Sequence, residues 1–250
     1  MKYIDEYRDA DAVRTISKKI FAQCSQSWNI MEICGGQTHS ILKYNLEEYL
    51  PQSISLIHGP GCPVCVTPVE MIDRAIYLSL QKDVILVSYG DMLRVPGSRY
   101  DLLTSKANGG NVGMVYSPMD AVKLAEENLN KKVVFFSVGF ETTAPANAFS
   151  VLTAKNKSLN NYFLLCSHVL VPPALELLLS GNDVRIDAVL SAGHVCTITG
   201  YEEYIKISER FKVPIVVTGF EPVDIMLGIE CAITQLESGK FEVVNRYGRA

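Results

Sequence analysis

Residues 133–146 read VVFFSVGFETTAPA, a run of β-branched and aromatic residues that breaks at Gly139 and passes into a stretch able to form a helix. A short unbroken apolar run predicts a strand buried on both faces, the habit of parallel sheets covered by helices. The same grammar returns at 217–222, where VTGFEP continues the apolar pair Ile215 and Val216. Other β-branched apolar runs lie at 30–33, 54–57, 84–87, 162–166 and 188–190, most followed by a Gly- or Pro-bearing turn and then helical periodicity. The alternation predicts an α/β protein with two similar, mostly parallel sheets flanked by helices, as Rossmann-like halves. The echo between SVGFET and VTGFEP puts the expected boundary near residue 150, dividing 1–150 from 151–250.

Two helix starts are marked in detail. Thr67-Pro68-Val69-Glu70 reads as a capping box with proline at the first helical position, ahead of Ile72, Ala75, Ile76 and Leu80. Ser117-Pro118 opens a second helix whose Val122, Ala125 and Leu129 share a face.

The 23 basic against 27 acidic residues give a net charge of −4 with no basic cluster, so no nucleic acid partner is expected. The opening MKYIDEYRDADAVRTISKK is charged and polar, and no apolar run reaches about 18 residues, so a cytoplasmic protein with no membrane contact is expected. The seven cysteines are then reduced thiols. Cys24, Cys166, Cys196 and Cys231 stand singly among apolar or helical residues and read as small buried hydrophobes.

The other three are grouped. Cys62 and Cys65 lie two residues apart in HGPGCPVCVTPV (58–69), a loop stiffened by Pro60 and Pro63, with Cys65 just ahead of a helix whose positive end favours a thiolate. MEICGGQTHS (31–40) repeats the design, with a strand, then Cys34, two glycines and a helix beginning near Thr38. Neighbouring parallel strands open their carboxyl ends on one crevice, so Cys34 is expected to face the pair, with His39 and His58 bracketing the site. Residue types and spacing leave three readings open: structural zinc, redox or metal-handling chemistry, and inert core thiols. Asp91 and Arg94, just past a strand end, line the crevice or form a surface turn; Thr142 or Thr143 caps a helix. His168 and His194 each follow an apolar strand at equivalent positions. GGNVG at 109–113 is too short and misplaced for a dinucleotide fingerprint.

Read together, MEICGGQTH, IHGPGCPVCVTP, YGDMLRVPGS, VYSPMDAV, FFSVGFETTAPA, HVLVPPAL, AGHVCTITG and TGFEPVDI resemble, in order and wording, the HypD family, which assembles the iron centre of [NiFe] hydrogenases. The resemblance runs from about residue 8 to the end. It implies a scaffold that joins a small HypC partner, receives cyanide from HypE and builds an Fe(CN)2CO unit destined for the hydrogenase large subunit. It implies an assembly factor with redox-active cysteines rather than an ordinary turnover enzyme. By motif position Cys34 looks like the iron-binding thiol and Cys62 and Cys65 like the redox dithiol; His39 and His194 fall in the family's cofactor-binding motifs. Gln37 stands where many members have histidine. The family also carries a [4Fe-4S] cluster in a C-terminal region whose cysteines this chain lacks, so a truncated or split form is expected. Other readings are a general CxxC dithiol oxidoreductase and a non-catalytic interaction remnant.

Overall fold

The structure is a computed structural model that describes residues 4–59, 61–181 and 185–248. In it the chain divides into two compact units, Met1–Cys62 with Leu170–Ala250, and Pro63–Val169. The first unit opens with α1 (Ala10–Gln23), β1 (Trp28–Glu32), α2 (Gly35–Lys43) and β2 (Ile54–His58). The second holds α3 (Val69–Ser79), β3 (Val84–Ser88), α4 (Leu102–Ala107), β4 (Val112–Met114), α5 (Pro118–Glu127), β5 (Lys132–Gly139), α6 (Ala144–Asn156) and β6 (Tyr162–His168). The chain then completes the first unit with α7 (Val171–Ser180), β7 (Ala188–Ala192), α8 (Gly193–Thr199), α9 (Glu202–Phe211), β8 (Ile215–Thr218), α10 (Pro222–Glu237) and β9 (Val243–Asn245).

The break comes at residues 62 and 170 rather than near 150. Residue 150 lies in α6, and β5 leaves through that helix only to return as β6 beside itself, so the chain cannot change sheets there. Each unit has its own parallel sheet, ordered β2-β1-β7-β8-β9 and β4-β3-β5-β6. Within each unit the second strand lies outside the first and the third lies on the first's other side. That is the doubly wound order, and the strand order reverses between β1 and β7 in one unit and between β3 and β5 in the other.

The opening stretch shows why the fold is legible. β5 alternates Val133 and Phe135 toward one core, with Ile85, Val87, Ala121 and Ala125, and Val134, Phe136 and Val138 toward another, with Ile72, Ile76, Leu86 and Leu102. Both faces are covered, so no polar alternation survives. The first unit's core sets Ile16 and Ile20 of α1 and Ile225, Met226, Ile229 and Ile233 of α10 against Ile30, Leu190 and Val216 of the sheet.

All seven predicted strands are present; β4 and β9, three residues each, are additional and lie at sheet edges. Ser117 caps α5, accepting from the Met119 amide at 3.2 Å while Asp120 accepts from the Ser117 amide at 2.9 Å. Ser117→Ala is expected to cost about 1 kcal/mol of stability in a denaturant titration. Leu129, expected on the buried face of that helix, falls beyond its end and is exposed. Thr67 is not a cap: α3 begins after Pro68, and the Thr67 hydroxyl donates to the Pro63 carbonyl at 2.8 Å. Of the singly placed cysteines, Cys231 is buried as expected but Cys166 is exposed, because β6 is an edge strand with an incompletely covered face.

At the end of α10, Glu237 accepts from the Trp28 indole at 2.7 Å, from the Ser25 amide at 2.9 Å and from the Ser25 hydroxyl. The Ser25 hydroxyl first, then the indole, hold its carboxyl down at about 2. A depressed acid contributes stability above its ordinary pKa and loses it as pH falls through the folded value. The melting temperature should therefore fall between about pH 4.5 and pH 2, less steeply in Glu237→Gln than in the wild type; parallel profiles would show that the contact contributes nothing.

Candidate functional site

In the first unit the strand order reverses between β1 and β7, and a doubly wound sheet opens its ligand crevice at the carboxyl ends of the strands flanking that reversal. β1 runs out into Ile33 and Cys34, and β7 into Gly193 and His194. Cys34 is itself the N-cap residue of α2, which starts at Gly35 and not near Thr38. Two glycines after the cysteine are compatible with a helix here because α2 is anchored from its interior. Gln37, fully buried, accepts from the Cys34 amide at 3.2 Å and reaches the Ser191 carbonyl of β7 at 3.5 Å. A residue that could have been a ligand is thus the brace between α2 and β7.

The Cys34 thiol is half-buried. Burial pushes its pKa up, the Gly36 and Gln37 amides at the head of the helix pull it down less, and the charges of Glu32 and Cys62 add to the rise. Desolvation therefore outweighs the helix dipole, and the unliganded thiol keeps its proton. A Cβ built on Gly36 would lie 3.1 Å from the Phe220 ring and 3.8 Å from the Cys34 sulfur, which puts Phe220 beside the thiol. His194 also packs on Phe220, ring centroids 4.9 Å apart and edge-on, and Tyr247 packs on Phe220 at 6.5 Å. The His194 Nδ1 is buried without a hydrogen-bond partner, and burial lowers the imidazole's pKa, leaving a neutral ring able to accept or ligate. Phe220 thus packs on both the head of α2, beside Cys34, and the His194 ring.

The loop after β2 closes over the head of α2. The Gly59 amide donates to the Glu32 carbonyl at 2.9 Å and the Gly35 amide to the Gly61 carbonyl at 3.4 Å, so Gly61 lies flat on residues 33–35. Cys62 follows at once, in electrostatic range of Cys34. Pro60 lies outside the described residues; Pro63 opens a turn over 63–66 in the second unit, where Cys65 is exposed. His39 is exposed on α2. Beneath the loop Glu32, 1% exposed, accepts from His58 Nδ1 at 2.6 Å and the Thr38 hydroxyl at 2.5 Å on one oxygen, and from the Gly59 amide at 3.0 Å on the other. Glu32 escaped the sequence reading; its signal was a charged residue inside the apolar run MEIC.

In the second unit His168 is a satisfied structural residue, its Nε2 held by Ser137 Oγ at 2.9 Å and Asn147 Nδ2 at 2.8 Å, and burial lowers its pKa. Asp91 accepts from the Met92 amide at 2.9 Å and caps a short 3-10 turn. Among the described residues no three His, Cys, Asp or Glu side chains are already gathered to hold a metal, and Cys24, Cys166, Cys196 and Cys231 sit on separate elements.

No described helix is long and apolar enough to cross a membrane. The family described as "HypD: Hydrogenase formation hypA family" matches residues 11–250. The hydrogenase maturation factor HypD of Rhizobium leguminosarum bv. viciae is 43% identical over 259 residues, covering 100% of this chain and 67% of that protein. Its namesake in Azotobacter vinelandii is 42% identical over 258 residues, with 100% and 68% covered. The Escherichia coli (strain K12) HypD is 41% identical over 256 residues, with 100% and 69% covered.

Proposed function

The chain belongs to the HypD family of hydrogenase formation proteins and acts in hydrogenase maturation, and from that premise we propose that it is the cytoplasmic scaffold on which an Fe(CN)2CO unit is assembled. Iron is the cargo. Cys34 supplies the thiolate that holds it, Cys62 and Cys65 act as the redox dithiol, and His39 and His194 contact the bound unit. A HypC-like small protein completes the scaffold, a HypE-like protein donates cyanide, and the hydrogenase large subunit receives the product. A [4Fe-4S] cluster of the kind the family carries supplies the dithiol with electrons.

The observation that carries the reading is the Cys34 thiol at the strand-order reversal, with the Cys62 loop packed on its helix cap and the unpartnered Nδ1 of His194 beyond Phe220. Iron bearing cyanide and carbonyl is a soft centre that suits thiolate. Phe220 packs beside the head of α2, and a metal bound by Cys34 displaces its proton. Infrared spectra of the anaerobically purified complex with the small partner should show cyanide and carbonyl stretches that vanish in Cys34→Ala. Stretches that persist in that variant would remove Cys34 from the role.

The exposure of Cys65 ahead of α3 favours one other reading, a general dithiol oxidoreductase. Reduction of insulin that needs Cys62 and Cys65 and ignores Cys34→Ala would support it.

A further inference from the structure

β9 is the last strand of the first sheet. It pairs with β8, Val217 opposite Asn245, and the Arg246 amide donates to the Val217 carbonyl at 2.8 Å. The Tyr247 amide then donates to Asn245 Oδ1 at 2.8 Å, a side chain binding the backbone two residues on, which turns the chain as the strand ends. Tyr247 is the residue that this turn delivers, and it is partly buried.

Two buried glycines make its seat. A Cβ built on Gly193 would lie 2.6 Å from Tyr247 Cγ and 2.8 Å from its Cε1, and one built on Gly219 would lie 2.8 Å from its Cε2. Carbon atoms in contact sit about 3.5–4.0 Å apart, so the Tyr247 ring fills the space that a side chain at either position would take. Neither glycine is demanded by its own backbone: the glycines with positive φ among the described residues are Gly109, Gly200 and Gly239. A Cβ on Gly219 would also strike the Asp224 carboxylate, whereas the three atoms nearest a Cβ on Gly193 all belong to Tyr247.

These glycines are the residues immediately before His194 and Phe220. The same ring also meets Phe220 edge-on, at an interplanar angle of 85°. It therefore bears on the backbone leading into both side chains and on one of the side chains itself. A site imidazole is ordinarily aimed by a hydrogen bond on its second nitrogen. His194 Nδ1 is buried without one, so packing has to aim the ring, and the aromatic neighbour that packs on it is Phe220.

We propose that Tyr247 is a positioning residue for the site: its ring, seated on Gly193 and Gly219, sets Phe220 and, through Phe220, the aim of His194. The functional consequence rests on the reading of His194 as a contact to the bound iron unit, so the first test uses neither iron nor maturation.

That test is the His194 ring signal in proton-carbon correlation spectra of the reduced full chain, labelled at its four histidines and recorded at a single pH. His194→Gln identifies the signal by its loss. In the wild type the Phe220 ring should displace it from the position of free histidine. Tyr247→Ala should move it toward that position, and Tyr247→Phe, which keeps the ring, should hold it at the wild-type place. A residue that only adds stability would lower the melting temperature and leave this native-state signal unmoved. His168, held in the second unit by Ser137 and Asn147, is the internal reference and should stay fixed in every variant. Gly193→Ala keeps every tail residue and gives a second route. Its methyl should evict the Tyr247 ring and move the His194 signal as Tyr247→Ala does, and in the Tyr247→Ala background it should add nothing. In cells Tyr247→Ala should lower maturation about tenfold, as a small misplacement away from the chemistry does. A His194 signal that stays in place in Tyr247→Ala overturns the proposal, as does a Gly193→Ala shift that persists at full size without Tyr247. Should the signal move while maturation is unaffected, the positioning stands and the role of His194 at the bound unit falls.

Discussion

Gly61→Ala is expected to bring hydrogenase activity down to the background of cells lacking the protein, although residue 61 carries no functional group. A Cβ at this position would stand 2.2 Å from the Gly35 nitrogen, 2.8 Å from the Cys34 carbonyl carbon and 3.0 Å from the Ile33 oxygen. All three are backbone atoms of the strand-to-helix junction, so no side-chain rotation relieves the overlap. The loop must lift, which breaks the Gly35 to Gly61 hydrogen bond and carries Cys62 away from Cys34. Few core residues depend on the loop, so the thermal midpoint should move by no more than a few degrees, consistent with a loss of about 1 kcal/mol. Gly109→Ala is the comparison for loop glycines: it has open space around it, with φ +94, and should leave activity intact. Full complementation by Gly61→Ala would show that the close approach of the two loops is not needed.

The largest expected loss of stability is for Phe135→Ala. Phe135 is fully buried on β5, packs edge-on against Tyr89 with centroids 5.4 Å apart, and lies among Ile85, Val87, Ala121, Ala125 and Val133. Helix and sheet around it cannot collapse into the space of a lost ring, so the transfer and cavity costs add to about 3–5 kcal/mol. Because the side chain belongs wholly to the 63–169 unit, the denaturant transition of that unit should move first, and the two units should separate in a urea titration. A loss below about 1 kcal/mol would mean that the ring's neighbours do repack.

These two variants probe different layers of the molecule, and the layers differ in how far they can be read from the chain. The strands were legible because burial on both faces leaves residues such as Val133 to Phe136 no polar alternation to confuse the reading. The start of α5 was legible because Ser117, Pro118 and Asp120 satisfy its first amides with their own side chains. Thr67 looked equally good, yet its hydroxyl found the Pro63 carbonyl, a partner that exists only once the cysteine turn is folded. α2 began three residues earlier than expected because its anchor, Gln37 on the Ser191 carbonyl, comes from a strand more than 150 residues away.

What the sequence by itself determined is the α/β class, the positions of seven strands and the presence of Cys34, Cys62 and Cys65 at strand-to-helix junctions, since each of these is written in local composition. The tertiary structure decided the rest. It closed β7, β8 and β9 onto β1 and β2 around an inserted unit, because parallel strands find neighbours through crossovers whose length the chain does not reveal. That closure set Phe220 beside the head of α2 and His194 against Phe220, joined Glu32 to His58, and raised the Cys34 thiol by desolvation where local reasoning from the helix end would have lowered it. Burial is a property of the assembled sheet, and no residue carries it alone.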